Sequence, residues 1–357
     1  MSAGKLIDIK DVSESLRPNE RITALQAEKA RLTSSFKEYK KEHGQIDQLL
    51  HEVLAALPFI NPQPQIYKSL ENRAPEKGCA VGIHITDVHY GATQDSDEIE
   101  GFGRYSPAIS EARQMGFISD ALNWVDVHRN GYELNNCHVL VTGDLVSGDI
   151  HDELRVTNAF PAPRQATEEA AIFAKQIAML APHFSSITVE IITCDNHGRL
   201  TRKPQAKEGG VNNWMYVVAH MAKVLLREYQ NVTMNIYPMA QKVVVVNGRR
   251  YLLTHGHEVS GWAGFPYYGI ERKASREAIA RMNAPDYTKF DKVILGHWHA
   301  PMQHPYFWIG GSVSGTDAYD HQSGRHARPQ QITWLVHPHW GEFDVTNWQL
   351  DKWDPKG

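Results

Sequence analysis

Aspartate, asparagine and histidine recur in this sequence directly after short apolar segments. In chain order they are Asp87 and His89 in TDVHYG, Asp144 in TGDLVSG, Asn196 and His197 in TCDNHGR, His255 and His257 in THGHE, and His297 and His299 in LGHWHAP. Side chains two residues apart in an extended segment point the same way, so an Asp-x-His or His-x-His pair can present two donors to one cavity. Mixed oxygen and imidazole donors suit Mn²⁺, Fe or Zn²⁺ rather than Ca²⁺. Each group alone also fits a surface turn, but five in one chain predict a metal site.

The segments before these groups predict strands, because they are rich in Val, Ile and Leu. Strands at 79–86, 136–142 and 186–194 alternate with helices at 109–129, 165–181 and 212–229, which is typical of an α/β domain. Further strands are predicted at 242–247, 250–254, 292–296, 305–309 and 331–336, with one helix near 271–282. Since α/β proteins carry their chemistry on loops at strand ends, we expect the five groups to form one site.

The composition is that of an ordinary globular protein: 42% of the 357 residues are hydrophobic and 22% are charged. The formal net charge of −4 gives the molecule no overall field that gathers nucleic acid, so any binding of a polyanion must be local. Cys79, Cys137 and Cys194 are far apart and lie within or beside predicted strands. That spacing fits buried thiols and excludes a disulfide framework or a cysteine-based zinc site.

No apolar segment approaches the roughly 20 residues that cross a bilayer, and Met1–Lys10 lacks the apolar stretch of a signal peptide. We therefore expect a cytoplasmic protein with no membrane partner.

The N-terminal region predicts a separate helical element. Between about 20 and 57, apolar residues recur in steps of three and four, which indicates a coiled-coil-like arm or a helical hairpin. Such an arm either packs on its own domain or forms a homo-oligomer. The proline-rich stretch PFINPQP at 58–64 ends the helix. We expect an arm and linker over 1–75 and the main domain over 76–357.

Taken in order, the strand-end motifs resemble those of the calcineurin-like metallophosphoesterases. The family pattern is Asp-x-His, Gly-Asp, Gly-Asn-His-(Asp/Glu), a His before Gly, and Gly-His-x-His, and the match spans about Cys79 to Pro301. The stretch IGGSVSGTDAYD at 309–320 also looks like the phage and prophage branch. The resemblance implies an α/β fold with a metallophosphoesterase-type β-sandwich flanked by helices.

The resemblance also implies a two-metal centre with a separate general acid, His197. The ions are expected to be Mn²⁺, with Fe, Zn²⁺ and Ni²⁺ as alternatives. One ion would be held by Asp87, His89 and His299, the other by Asn196, His255 and His297, and both by a bridging Asp144.

These residue types suit phosphoryl transfer independently of any family. Two cations about 3.5–4 Å apart lower the pKa of a shared water and clamp the attacking and leaving oxygens. A histidine that is protonated near neutrality can then donate a proton to the leaving oxygen, which is the role expected of His197.

The third motif departs from the family pattern at two positions. Asp195 stands where the family has glycine, and Gly198 stands where it has an acidic residue. Asp195 either adopts the left-handed conformation of such a glycine or makes a new contact of its own. The missing acid leaves open what orients His197, and Asp149, Asp152 and Glu153 are candidate substitutes.

The substrate is less well defined by the sequence. The basic run after His197, with Arg199, Arg202, Lys203 and Lys207, either is a solvated face or binds phosphates together with His257. We weigh a nuclease that acts on DNA or RNA, a phosphomonoesterase acting on protein or small molecules, and a non-catalytic scaffold. The intact ligand set argues against the scaffold.

Overall fold

The computed structural model describes residues 78–261, 266–284 and 287–356, together with Thr23, 26–31, Thr33 and Ser34. The chain divides into two compact units, Met1–Pro58 and Phe59–Gly357. Every described residue of the first unit is helical. Most of the segment 20–57 and the whole of the linker lie outside the described residues, so the arm, its self-association and the boundary at 75/76 stay predictions.

Eleven strands form two sheets in the part of the chain that the structure describes. They are β1 (Ala80–Ile85), β2 (Asn136–Val141), β3 (Ser186–Ile192), β4 (Val232–Tyr237), β5 (Gln241–Val246), β6 (Arg249–Thr254), β7 (Lys292–Leu295), β8 (Met302–Gln303), β9 (Phe307–Ile309), β10 (Gln330–His337) and β11 (Gly341–Gln349). The first sheet has the order β11-β10-β1-β2-β3-β4, and the second has the order β5-β6-β7-β9-β8.

Parallel pairing brings strand ends together in both sheets. In the first sheet β1, β2, β3 and β4 run parallel, while β10 pairs antiparallel with both β1 and β11. In the second sheet β6, β7 and β9 run parallel, and β5 and β8 are antiparallel neighbours. The carboxyl ends of β1, β2 and β3 therefore lie at one edge of the first sheet, and those of β6 and β7 at one edge of the second.

Helices lie in the crossovers between parallel strands, which need such connections, and a further short helix lies between β9 and β10. They are α1 (Pro107–His128), α2 (Asp152–Thr157), α3 (Ala162–Leu180), α4 (Trp214–Leu225), α5 (Tyr267–Met282) and α6 (Ala318–Gln322). Ser106 and Asn213 cap α1 and α4 by accepting backbone N–H bonds. All six residues of β1 are buried, so both faces of the first sheet are covered.

The two sheets pack against each other through one apolar cluster. From the first sheet come Ala80, Leu140, Ile192, Ile332, Trp334 and Val336, and from the second Val244, Val246, Tyr251, Leu253, Ile294 and Trp308. A second cluster joins Ile270 of α5 to the other face of the second sheet. The predicted α/β architecture, a β-sandwich flanked by helices, is confirmed.

The elements predicted from sequence are present, with ends shifted by a few residues. The strands β4, β8 and β11 were not anticipated: β8 has only two residues, β11 is mostly polar, and the apolar alternation of β4 was overlooked. Only one residue of β4 and one of β11 is fully buried. No helix among the described residues combines the length and apolar character needed to cross a bilayer.

Candidate metal centre

The predicted ligands meet where loops from both sheets converge. The loop after β1 carries Asp87 and His89, and it bonds to the loop after β2 through Asp87 N to Gly143 O (3.1 Å) and His89 N to Asp144 O (2.9 Å). In the second sheet, Gly296 N donates to His255 O (3.0 Å) and so joins the loops after β6 and β7. Parallel pairing within each sheet, together with the packing of the two sheets, thus brings motifs that are far apart in sequence into one cluster.

Most of these ligand candidates have left-handed backbone conformations. The φ angles are +51° at Asp87, +51° at His89, +52° at Asp144, +69° at His297 and +57° at His299. Such conformations cost free energy in residues with a Cβ atom and persist only where surrounding contacts enforce them. Their concentration here marks the loops as shaped for a site rather than for stability.

The first group of donors comprises Asp87, His89 and His299. The two imidazole Nε2 atoms are 3.0 Å apart. Asp87 Oδ1 lies 3.9 Å from Nε2 of His89 and 3.7 Å from Nε2 of His299. One ion could therefore contact all three side chains.

The second group comprises Asp144, His255 and His297, with Asn196 beside them. His255 Nε2 lies 3.0 Å from Asp144 Oδ2 and 2.8 Å from Asn196 Oδ1. Asp144 also belongs to a group with His89 and His197, so its carboxylate reaches both sides of the centre. This is the placement that a bridging ligand requires.

Hydrogen bonds at Nδ1 orient several of the imidazoles. His255 Nδ1 donates to Thr142 O (2.9 Å), and His197 Nδ1 donates to Ser147 O (2.8 Å). Because a carbonyl oxygen only accepts, the proton lies on Nδ1 and the Nε2 lone pair of the neutral ring is left to face the centre. The same arrangement orients histidine ligands in metalloproteins.

A carboxylate performs the same function for His299. Asp320 Oδ2 lies 2.5 Å from His299 Nδ1, and Arg325 binds Oδ1 of Asp320 through its Nε at 3.0 Å and its Nη2 at 2.8 Å. Asp320 is buried. Asp320, itself held by Arg325, therefore fixes the orientation of the His299 ring from the Nδ1 side, opposite the Nε2 atom that faces the cluster.

Burial and charge give the groups of this cluster unequal proton affinities. Burial alone would raise the pKa of Asp144, but the neighbouring imidazoles, His255 first, bring it well below the usual range. Burial opposes protonation of His255 and His299, yet Asp144 and Asp320 respectively raise their pKa values to about 10. Burial holds the pKa of His297 well below its usual value. Positive charge is therefore favoured beside Asp144, where a cation would bind and displace the proton of His255, whereas burial raises the pKa of Asp87.

The donor set fits two divalent ions. Carboxylate, amide and imidazole donors suit Mn²⁺, Fe and Zn²⁺. Asp144 Oδ2 is buried without a hydrogen bond of regular geometry, which is the state expected of an atom that coordinates a cation.

Asp195 is explained by contacts rather than by a left-handed backbone, since it is absent from the described residues with positive φ. Its buried carboxylate accepts from Asp144 N (2.7 Å), Gly198 N (2.9 Å) and Asn213 Nδ2 (3.0 Å). Asp195 thus ties the loops after β2 and β3 to the start of α4. A Cβ atom at Gly198 would lie 2.1 Å from Asn213 Oδ1, which accounts for the glycine there.

His197 lies inside the cluster of ligand candidates. Its ring centroid is 4.5 Å from that of His89, and its backbone N donates to Asp144 Oδ1 (3.1 Å). The carbonyl of Ser147 orients the ring, which answers the question that the sequence left open among Asp149, Asp152 and Glu153 with a residue that was not among them. A backbone carbonyl carries no side-chain signature, so sequence could not reveal it.

Of the proposed substrate-binding residues, His257 lies beside the second group, with its ring centroid 5.5 Å from that of His255 and 6.4 Å from that of His297. Arg199 and His257 line one small cavity. Arg202 is exposed and pairs with Asp152 (3.3 Å), and Lys203 is exposed. None of these four belongs to a metal-ligating group in the described residues, and their role stays a prediction.

Three polar residues near the centre were not assigned to it from sequence. Asp320 ends the stretch IGGSVSGTDAYD but was given no role there, Arg325 follows outside any motif, and the chain fold brings both to His299. The exposed ring of His151 lies 6.4 Å from that of His197. Its nearness also depends on a loop conformation that spacing does not encode.

Neither a protein-family model nor a curated protein matches this chain. Solved structures similar to it include a Streptococcus pneumoniae protein named as a predicted phosphoesterase, with 12% identity over 77% of this chain and 91% of that chain and a TM-score of 0.28. Entamoeba histolytica Vps29, complexed with zinc, has 12% identity over 76% of this chain and 99% of that chain, with a TM-score of 0.29. The calcineurin-like phosphoesterase YfkN of Bacillus subtilis has 11% identity over 78% and 93%, with a TM-score of 0.32. At scores this low the similarities carry no weight for function, which has to be inferred from the residues of this chain.

Proposed function

We propose that this chain is a two-metal phosphoesterase that hydrolyses phosphodiesters of nucleic acid, with Mn²⁺ as its metal. The observation that carries the proposal is the position of Asp144. Its carboxylate lies between the group of Asp87, His89 and His299 and the group of His255 and His297, within reach of both. A shared carboxylate between two N/O donor groups is the arrangement that two-metal hydrolysis needs.

When bound, two divalent ions would lower the pKa of a water and neutralise charge on the phosphate. The residues of the chain supply the geometry. Asp87, His89 and His299 would hold one ion, and Asn196, His255 and His297 the other. The hydrogen bonds of Thr142 and Asp320 behind His255 and His299 keep those rings aimed at the centre.

His197 is proposed to supply the proton. Its Nδ1–H is engaged by Ser147 O, so the atom that faces the cluster is Nε2. A protonated Nε2 can donate to the oxygen that leaves the phosphorus. The short distance to His89 supports a position of that atom beside the phosphate rather than at the protein surface.

The choice of nucleic acid rests on the basic residues that follow His197. Arg199, Arg202, Lys203 and Lys207 come directly after the proposed acid, and the last three are exposed and so open to phosphates on either side of the scissile one. Phosphate contacts supply most of the non-specific affinity for nucleic acid. The likeness of 309–320 to phage proteins stays a prediction from sequence.

The test is hydrolysis by purified protein with added Mn²⁺. We expect turnover of bis-p-nitrophenyl phosphate and of labelled single- or double-stranded DNA, and loss of both with excess chelator. Preference for p-nitrophenyl phosphate over the diester, with intact DNA, would replace the proposal by a phosphomonoesterase. Tight binding of two metals with no turnover of any ester would favour the scaffold.

A further inference from the structure

A group of polar side chains is buried near the start of α1. Ser110, Arg113 and Gln114 are each no more than 1% exposed. Arg113 and Gln114 follow Ser110 by three and four positions, so the three side chains share one face of the helix. A helix in a globular protein usually buries an apolar face, because buried polar groups need hydrogen-bond partners. This polar face is therefore kept for the contacts that it makes rather than for apolar packing.

Tyr105, just before α1, connects this polar face to the loop after β1. The N-cap residue Ser106 accepts from Ile109 N (3.3 Å) and fixes where the helix begins. Tyr105 is buried. Its hydroxyl contacts both the carbonyl oxygen of Val88 and Ser110 Oγ, the latter at 2.7 Å. The hydroxyl of Tyr105 therefore joins α1 to the backbone of the loop after β1 by direct contacts.

The direction of these hydrogen bonds follows from their end point. The carbonyl oxygen of Val88 can only accept, so the phenol proton of Tyr105 points at it. Ser110 then donates to the phenol oxygen, and Gln114 Nε2 donates to Ser110 Oγ (3.2 Å). Bonds that run in one direction strengthen one another by polarisation. Burial raises the pKa of the Tyr105 hydroxyl, so this donor keeps its proton at neutral pH.

The acceptor of this bond, Val88, lies between two of the proposed metal ligands. Asp87 and His89 both have left-handed backbones with φ of +51°, and such conformations persist only where contacts enforce them. Among the described residues, Tyr105 is the one side chain that bonds the backbone of the segment 87–89, whose other backbone bonds come from backbone groups. The phenol of Tyr105 therefore holds the peptide from which both ligand side chains project.

Arg113 supports the same segment through a second loop. Its Nη1 donates to Val313 O (2.8 Å), and Val313 N donates to Asp87 O (3.0 Å). Asp354 neutralises the buried guanidinium, with Oδ1 at 2.7 Å from Nε. The polar face of α1 thus bonds the segment 87–89 directly through Tyr105 and indirectly through Arg113.

From these contacts we infer that Tyr105 is a positioning residue of the metal centre, whose hydroxyl orients the segment 87–89 and so sets the affinity for one of the two ions. That ion is the one that Asp87, His89 and His299 would hold. The inference rests on the two-metal centre of the proposed function and does not depend on the substrate. It predicts unequal effects on the two ions, because the ligands proposed for the other ion, Asn196, His255 and His297, belong to other loops.

The test is Tyr105→Phe, which removes the hydroxyl and keeps the ring. Mn²⁺ binding to the metal-free protein is measured by titration calorimetry, and electron paramagnetic resonance distinguishes a coupled pair of ions from a single ion. We expect the variant to bind one ion with the wild-type affinity and the other about 10- to 100-fold more weakly, the usual effect of changing a group behind a ligand. At a Mn²⁺ concentration that just fills both sites of the wild type, the variant should give the signal of single ions.

Two further variants complete the test. Ser110→Ala removes the donor to the phenol oxygen and should weaken the same ion to a smaller extent. Tyr237→Phe is the matched control, because it removes a hydroxyl that donates to the buried carboxylate of Glu190 (2.8 Å). Among the described residues, that hydroxyl has no contact with a loop that carries a ligand candidate. Both affinities of Tyr237→Phe should equal those of the wild type.

Wild-type affinity for both ions in Tyr105→Phe would overturn the inference. An equal decrease in affinity for both ions would also overturn it, since the hydroxyl would then support the fold as a whole and not the segment 87–89. Failure of the proposed function would give a different result. The wild type would bind two ions and Tyr105→Phe would bind one of them more weakly, but neither protein would hydrolyse a phosphodiester.

Discussion

Asp320 Oδ2 lies 2.5 Å from Nδ1 of His299, while Asp87 Oδ1 lies 3.7 Å from Nε2 of the same ring. One imidazole is thus held between a carboxylate that orients it and a carboxylate that shares its proposed metal. Outer carboxylates of this kind fix the ring and increase its basicity as a ligand.

Replacing Asp320 by Asn should weaken metal binding without removing a ligand. The amide of asparagine has the same shape as the carboxylate of Asp320. It lacks the negative charge that makes His299 a better ligand for a cation. We expect affinity for one Mn²⁺ to fall by about 10- to 100-fold, the usual effect of such changes. Titration calorimetry measures it. Asp351→Asn, which changes an aspartate that pairs with Arg328 in a similar way, is the control and should leave both affinities unchanged.

Asp144→Asn should abolish phosphodiester hydrolysis. The substitution removes the charge that the two proposed metal positions share, and neutral amide oxygen is a poorer bridge between cations. Elemental analysis should find fewer than two ions per chain. Full activity of this variant, or of the wild type in saturating chelator, would refute the two-metal mechanism.

His197→Ala should keep both ions and slow turnover by about 10²- to 10⁴-fold, the usual contribution of a positioned acid. The decrease should be smaller with p-nitrophenyl esters, whose leaving group hardly needs a proton, than with DNA. Steady-state rates on both substrates and metal content are measured together. A missing ion in this variant would make His197 a ligand, contrary to the role assigned here.

Nucleic acid affinity should decrease steeply with salt, because binding of phosphates releases counterions. Replacing Arg202, Lys203 and Lys207 by Gln should flatten the slope of log affinity against log salt by about 0.7–0.9 for each ion pair with phosphate that the substitutions eliminate. Cleavage of bis-p-nitrophenyl phosphate should barely change. Lys289→Gln, which changes a lysine at another exposed position, is the control. If the slope of log affinity against log salt were equal in the wild type, the triple variant and the control, the nucleic acid would bind elsewhere on the protein.

His84 should make the protein sensitive to acid when metal is withheld. Burial lowers the pKa of His84 from its ordinary 6.5 to about 3. Between these values the unfolded chain binds a proton that the native chain excludes, so native stability is lost as the pH falls. Between pH 7 and pH 5, the free energy of unfolding decreases by about 2 kcal/mol through this group.

Urea unfolding of wild type and His84→Gln in chelator tests this expectation. Glutamine can still bond to Thr142 Oγ1, which lies 2.8 Å from His84 Nε2, but it does not titrate. The wild type should lose about 2 kcal/mol more stability than the variant between the two pH values. Parallel pH dependences would show that His84 titrates alike in the native and unfolded chains over this range.

The clustering of the ligand candidates could be predicted because its signal is local. Each motif follows an apolar strand, and parallel strands end at a common sheet edge, so Asp87 and Asp144 had to approach each other in the first sheet, and His255 and His297 in the second. The β-sandwich followed from the same alternation of strands and helices. Strand β4 was missed although VTMNIY alternates apolar and polar residues, which is the pattern of a half-buried strand.

The supporting contacts could not be predicted because they join residues distant in sequence. Asp320 meets His299 through the path of the chain after β9, and Ser147 orients His197 through a carbonyl that any residue would offer. Asp195 was visible as a departure from the family pattern, but its three acceptor bonds depend on where α4 begins. The spacing of residues in the sequence identifies the side chains that can donate to a metal. Only the tertiary structure shows which hydrogen bonds orient those side chains.

The antiparallel pairing of β1 with β10 has a consequence for how the protein is made. The side chain of Gln331 in β10 accepts from Thr86 N (3.0 Å) and donates to Thr86 O (3.0 Å). Thr86 directly precedes the ligand candidate Asp87 and lies 245 residues before Gln331. At about 5–20 residues per second, the ribosome releases β10 about 12–50 s after β1. The loop after β1, which carries Asp87 and His89, is therefore synthesised long before β10 and lacks this partner strand during nearly the whole of synthesis. We expect nascent chains arrested before residue 330 to bind no Mn²⁺ and to be cleaved readily by protease near residue 87, and protection at that stage would contradict this order of assembly.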